Sequence, residues 1–121
     1  MRIKSYASVL ADDFINKQKN TLSVNEFRKT ANHYKLWLLI LENYHRNINT
    51  TMESIVIHLS KTSSRKTISS ILTHLEEKQL ITKKKSITDN RILLIKPTER
   101  TVQEFNEWIH HFKFELNSVE G

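Results

Sequence analysis

The chain has no cysteine, a single proline at Pro97 and a single glycine at Gly121. Without cysteine there are no disulfides, no thiolate metal sites and no direct thiol redox sensing, which fits a reducing cytoplasm. Without internal glycine, phosphate-cradling glycine loops, long flexible connections and inter-module linkers are excluded, and helices should dominate. Long apolar runs are missing too. The densest, Leu36 to Leu41, has six residues, about a third of what spans a bilayer, so it reads as a buried core helix. Residues 1 to 10 hold no apolar stretch of signal-peptide length. At 121 residues the chain is expected to form one domain.

What the chain does have is segregated charge. Residues 61–100 carry ten cations (Lys61, Arg65, Lys66, Lys78, Lys83, Lys84, Lys85, Arg91, Lys96, Arg100) against four anions (Glu76, Glu77, Asp89, Glu99), a surplus equal to the net charge of +6 of the whole chain. Solubility does not require such segregation. A polyanion gripped on one face does, because each neutralised phosphate releases counterions and adds sequence-independent affinity. Double-stranded DNA is the partner this implies, and no membrane partner is indicated.

Periodicity orders the elements. Tyr6, Val9, Leu10 and Phe14 mark an amphipathic helix over Ser5 to Lys17, followed by a polar loop, Gln18 to Thr21. A second helix starts near Ser23 to Glu26, either continuous or interrupted before His33, and runs to about His45. Trp37, Leu38, Ile40 and Leu41 make its centre apolar nearly all round. Thr50 with Glu53 matches a capping box and opens a short helix ending near Ser60. Lys61 to Ser63 then form a tight connection of the helix-turn-helix kind, with Ser64 as the next cap. From there Ile68, Ile71, Leu72 and Leu75 define one apolar face. Leu80 to Lys85 and Arg91 to Lys96 form a β-hairpin around Ser86 to Asn90, and Thr98, just after Pro97, caps a last helix with the stripe Val102, Phe105, Ile109, Phe112 and Leu116, with Trp108 beside it.

This order predicts a mainly α fold with a small β-hairpin: a winged helix-turn-helix with flanking N- and C-terminal helices. In such docking the second helix of the motif enters the major groove. Ser64, Arg65, Lys66, Thr67, Ser69 and Ser70 are the candidate contacts, with Thr73 and His74 further from the bases. Arg65 suits a bidentate guanine contact, because its planar fork matches O6 and N7, while Lys66 and Thr67 suit phosphates. Lys83, Lys84 and Lys85 lead into the hairpin tip as phosphate contacts, although lysines also protect edge strands. Asp89 and Arg91 read as a turn-stabilising pair.

Ser64 to Glu76, Leu80-Ile81, Ser86-Ile87-Thr88-Asp89-Asn90-Arg91 and Pro97-Thr98-Glu99 resemble the recognition helix, pre-wing segment, D-x-R wing signature and following helix start of the MarR family of transcriptional regulators, over roughly residues 36–105. The resemblance implies that Arg91 enters the minor groove or binds phosphate, oriented by a salt bridge from Asp89. It also implies room for a small-molecule effector, which no residue specifies. Gln79 stands where the family commonly has glycine, so a left-handed helix end there costs about a kcal/mol or is replaced by another geometry.

The six histidines, His33, His45, His58, His74, His110 and His111, show no H-x-x-x-H spacing and no carboxylate at ligand spacing, so no metal or other cofactor is expected. No nucleophile elbow or P-loop is present, and an enzyme is not expected. A DNA-binding lobe of about residues 36–97 leaves the helices of about 5–18 and 98–117 with apolar stripes to cover, which points to a homodimer paired across a two-fold axis. Two recognition helices would then lie about 34 Å apart on a pseudo-palindromic site. The reading is a cytoplasmic, sequence-specific transcriptional regulator. Alternatives are a winged-helix module for plasmid or phage DNA replication or partition, and a protein-interaction winged helix with an acidic partner.

Overall fold

The computed structural model describes residues 4–16 and 20–119. Its order is α1 (Tyr6–Ile15), α2 (Leu22–Phe27), α3 (Ala31–His45), β1 (Thr50–Thr51), α4 (Met52–Leu59), α5 (Arg65–Glu77), β2 (Ile81–Lys85), β3 (Leu93–Pro97) and α6 (Glu99–Asn117). The expected helix end at Lys17 and the start of the loop at Gln18 lie outside the described residues. The helix expected over residues 23–45 is interrupted: α2 stops at Phe27, and Thr30 caps α3 by accepting the His33 amide at 3.2 Å.

The capping box lies one residue later than the sequence suggests. Thr51, not Thr50, caps α4, and the residue that reaches back is Ser54, not Glu53. Tertiary pairing displaces the cap, because Thr50 joins β1 opposite Ile95 and its hydroxyl accepts from Asn43 Nδ2 at 2.9 Å. The expected two-stranded hairpin is accordingly a three-stranded antiparallel sheet in the order β1-β3-β2. Ser64 and Thr98 cap α5 and α6 through the amides of Thr67 and Thr101.

Gln79 does adopt the left-handed conformation, with φ 61°. Its amide donates to Glu76 O and the Leu80 amide to Leu75 O, both at 2.9 Å, so two terminal carbonyls of α5 gain donors that offset the backbone cost. Asn47 ends α3 in the same way, with φ 56°.

The core joins Phe27, Leu36, Trp37, Ile40, Ile55, Leu59, Ile68, Leu72, Leu75, Leu80, Ile81 and Ile95, all sealed from solvent. Leu38, grouped with the buried residues from the sequence, is exposed: it lies on the side of α3 opposite the one that buries Leu36, Trp37, Ile40 and Leu41. Trp37 is the aromatic hub, stacked on Phe27 at 5.8 Å and edge-on to Phe105 at 5.1 Å between centroids. The base of α6 is fixed to the end of α5. Thr98 donates its hydroxyl to Gln79 O at 2.9 Å and its amide to Leu80 O at 3.1 Å, and the buried Thr101 hydroxyl reaches Leu80 O at 2.7 Å. Among the described residues no helix is long and apolar enough to cross a membrane.

Candidate nucleic-acid interface

With Ile68, Leu72 and Leu75 buried, α5 turns its other face outward: Ser64, Arg65, Lys66, Thr67, Ser69, Ser70, Thr73 and His74 are all exposed. Several of these groups already have intramolecular work. The Ser64 hydroxyl accepts the Thr67 amide and donates to the Thr67 hydroxyl, at 3.1 and 3.0 Å. Thr73 donates to Ser69 O at 2.9 Å, a back-bond within its own helix. His74 lies 3.7 Å from Glu77.

The hairpin packs beside this helix. The three lysines are engaged differently: the Lys83 amine lies 3.4 Å from the Thr73 hydroxyl and 3.5 Å from the Glu76 carboxylate, and its amide donates to the same carboxylate at 3.2 Å. Lys83 is thus drawn toward α5, while Lys84 and Lys85 are exposed and flank a shallow cavity with Lys96 at the root of the tip. In the turn, Asp89 Oδ1 accepts from the Arg91 amide at 3.0 Å and from Arg91 Nε at 3.1 Å, and Oδ2 accepts from Nη2 at 3.1 Å. The Arg91 side-chain hydrogen bond, reinforced by its amide, holds the Asp89 carboxyl below the usual range, and Asp89 raises the Arg91 guanidinium in return. A two-pronged contact fixes the plane of an otherwise mobile fork. The Arg91 side chain is nonetheless 87% exposed, with donor capacity left for a ligand.

Sequence reasoning missed two sets of groups around α5. Glu53, on the first turn of α4, is ion-paired with Arg65 Nη2. No local pattern announces a pair twelve residues apart; it depends on how the tight α4–α5 turn sets the two helices. The second set, Glu26, Lys29 and His33, lines a cleft with Lys66, Thr67, Ser70 and His74 of α5 and with Lys78 at its C-cap. Glu26 pairs with Lys78 at 2.7 Å and with Lys29 at 3.1 Å. Burial works to raise the Glu26 carboxyl, but the hydrogen bonds and charges of the two lysines together outweigh it and hold it low. Burial, aided by Lys29, lowers His33. The Glu26–Lys78 pair ties α2 to the C-terminal end of α5.

A helix pair joined by a tight turn, an outward polar second helix and a basic hairpin beside it make a winged helix-turn-helix. The chain superposes on solved structures of this kind that are MarR-family regulators. Reduced AbfR bound to DNA is 23% identical, with 89% of this chain and 71% of that chain covered, at a TM-score of 0.59. The fold is the MarR-type winged helix. A single-residue mutant of Lactococcus lactis ZitR is 24% identical at a TM-score of 0.53, with 74% of this chain and 56% of that chain covered, so the match spans little more than half of the length of ZitR. NadR in complex with 4-hydroxyphenylacetate is 18% identical at a TM-score of 0.57, with 98% and 83% covered. No protein-family model and no curated protein matches the sequence.

On this MarR-type frame a second cavity, of about 700 Å³, opens where α1, the α2–α3 junction and α6 meet. Its lining includes Leu10, Phe14, Tyr34, Trp108 and Phe112, together with the cations Arg28 and Lys29. The Arg28 guanidinium lies 5.5 Å from the Phe14 ring centre and 5.3 Å from that of Trp108, and pairs with Asp13 at 2.6 Å. Asp13 also accepts the Trp108 indole N–H at 2.7 Å.

Proposed function

We propose that the chain is a sequence-specific, double-stranded-DNA-binding transcriptional regulator of MarR type, and neither an enzyme nor a metalloprotein. The observation that carries the reading is the exposed polar face of α5, with cations at its leading turn and a basic hairpin at its side. In this reading Arg65, Ser69 and Ser70 meet base edges in the major groove, and Lys66, Thr67, Lys84 and Lys85 meet phosphates. Thr73 and His74 lie further along the groove. Lys83 contributes through its hold on α5, and Arg91, set by Asp89, takes the adjacent minor groove or backbone. That AbfR has been solved bound to DNA supports the assignment through the shared fold.

The reading extends to the whole chain as one cytoplasmic winged-helix unit, with a lobe of about residues 36–97 on DNA and the helices of about 5–18 and 98–117 pairing two copies. The partly uncovered stripes of α1 and α6 support the homodimer. The aromatic cavity around Arg28 supports a small-molecule effector, as the ligand-bound NadR structure does by analogy of fold. Footprinting of the purified protein on genomic fragments at two salt concentrations tests the reading. With some six phosphates contacted per dimer, affinity should fall on the order of a thousandfold between about 50 and 200 mM salt. A flat response, or no protected site, would overturn it.

A further inference from the structure

Glu53 is out of place on a surface that grips a polyanion. It is an exposed carboxylate beside the leading turn of α5, where Arg65 and Lys66 stand. The register of the cap leaves it there: because Ser54 closes the box with Thr51, Glu53 is free of its own helix terminus and pairs with Arg65 Nη2 instead. A protein that held DNA by charge alone would gain from any neutral residue at this position, since a carboxylate repels phosphate and cancels one cation.

We propose that Glu53 is a positioning residue for sequence discrimination: it neutralises Arg65 toward phosphates and steadies its fork for a guanine edge. The inference rests on the DNA-binding reading and deepens it. A guanidinium carries five N–H donors, so a carboxylate at Nη2 leaves donors for O6 and N7 of guanine. An unpaired Arg65 could swing to the nearest phosphate, adding affinity to every sequence alike and discrimination to none. Held by Glu53, it forms a pair of zero net charge whose remaining donors are useful where acceptors are arranged as on a base edge.

This predicts opposite movements of affinity and specificity, which a merely structural residue would not produce. Wild type, Glu53→Gln, Glu53→Asp, Arg65→Ala and the Glu53→Gln/Arg65→Ala double variant are titrated by anisotropy against the footprinted duplex, its single-base-pair variants and an unrelated duplex, over a range of salt. Glu53→Gln should bind the unrelated duplex roughly three- to tenfold tighter, with a log–log salt slope steeper by about one per protomer. Its preference for guanine at one position should fall by roughly tenfold or more. Glu53→Asp should keep that preference, and the double variant should match Arg65→Ala. Equal behaviour of Glu53→Gln and wild type within twofold, or uniform weakening of Glu53→Gln on all duplexes with the preference intact, overturns the inference while leaving DNA binding standing. A wild-type protein that retains no duplex overturns both.

Discussion

Along α5 three of the four apolar side chains at helical spacing are sealed by the chain itself, with Ile68 at 0% and Leu72 and Leu75 at 1% exposure, and Ile71 is partly buried against the same core. Along α1 the same spacing leaves Tyr6 at 57%, Leu10 at 54% and Phe14 at 57%, and only Val9 is buried. Both helices are amphipathic, so periodicity alone does not distinguish them. What differs is the surface available to cover the stripe. α5 lies against a core supplied by α3, α4 and the sheet, whereas α1 meets chiefly α6, whose own long stripe from Val102 to Leu116 is partly solvated. A stripe that its own chain cannot cover is the physical signature of a face awaiting a second surface.

The largest effect that would sharpen this contrast is at the hub of the sealed region. Trp37→Ala removes the ring that Phe27, Phe105 and Trp108 pack against, and should cost about 3–5 kcal/mol in denaturant unfolding, with loss of DNA retention. Phe14→Ala, on the open side, should barely change the unfolding of a dilute monomer. Each half-exposed Phe14 buried on pairing contributes about 1–1.5 kcal/mol, so the variant should weaken the dimer by about 2–3 kcal/mol in sedimentation equilibrium. An unchanged dimer would show that α1 is covered in some other way.

The smallest effect concerns pH and the seam between α2 and α6. Burial works to raise the Glu104 carboxyl, but the Ser23 hydroxyl and amide, at 2.7 and 3.2 Å, and Arg100 outweigh it and keep the group low. A carboxyl lowered in the folded state stabilises it above the unfolded value, and that contribution is lost as pH falls through the folded one. Thermal stability should therefore decline below about pH 4.5, the ordinary glutamate range, and Glu104→Gln should flatten this part of the profile. An identical acid limb in the variant would place the sensitivity elsewhere, with Glu26 the next group to replace.

Much of the fold was legible because its signals are local. The caps at Ser64 and Thr98 and the face of Ile68, Leu72 and Leu75 depend on neighbours within a turn or two, and the structure contains them. Glycine at residue 79 proved dispensable, since the two hydrogen bonds closing α5 do not depend on the side chain. What was not legible depends on distant partners. Two threonines become β1 only because Ile95 and Leu94 lie opposite, and that pairing moves the α4 cap by one residue. The same shift releases Glu53 toward Arg65, a contact that no single stretch of sequence contains. Composition and order foretold which face of the candidate site is basic; which cations are already engaged required three dimensions.

The seating of Thr98 and Thr101 on the carbonyls of residues 79 and 80 also has a mechanical consequence. With 19 residues, α6 is a rod about 28 Å long, pinned at its base to the point where α5 ends and the first wing strand begins. Leaning the rod by about 10° would carry its far tip roughly 5 Å. Read in reverse, a displacement of that size at the tip is geared down to a sub-ångström adjustment at the pivot, where the end of α5 and the root of the wing meet.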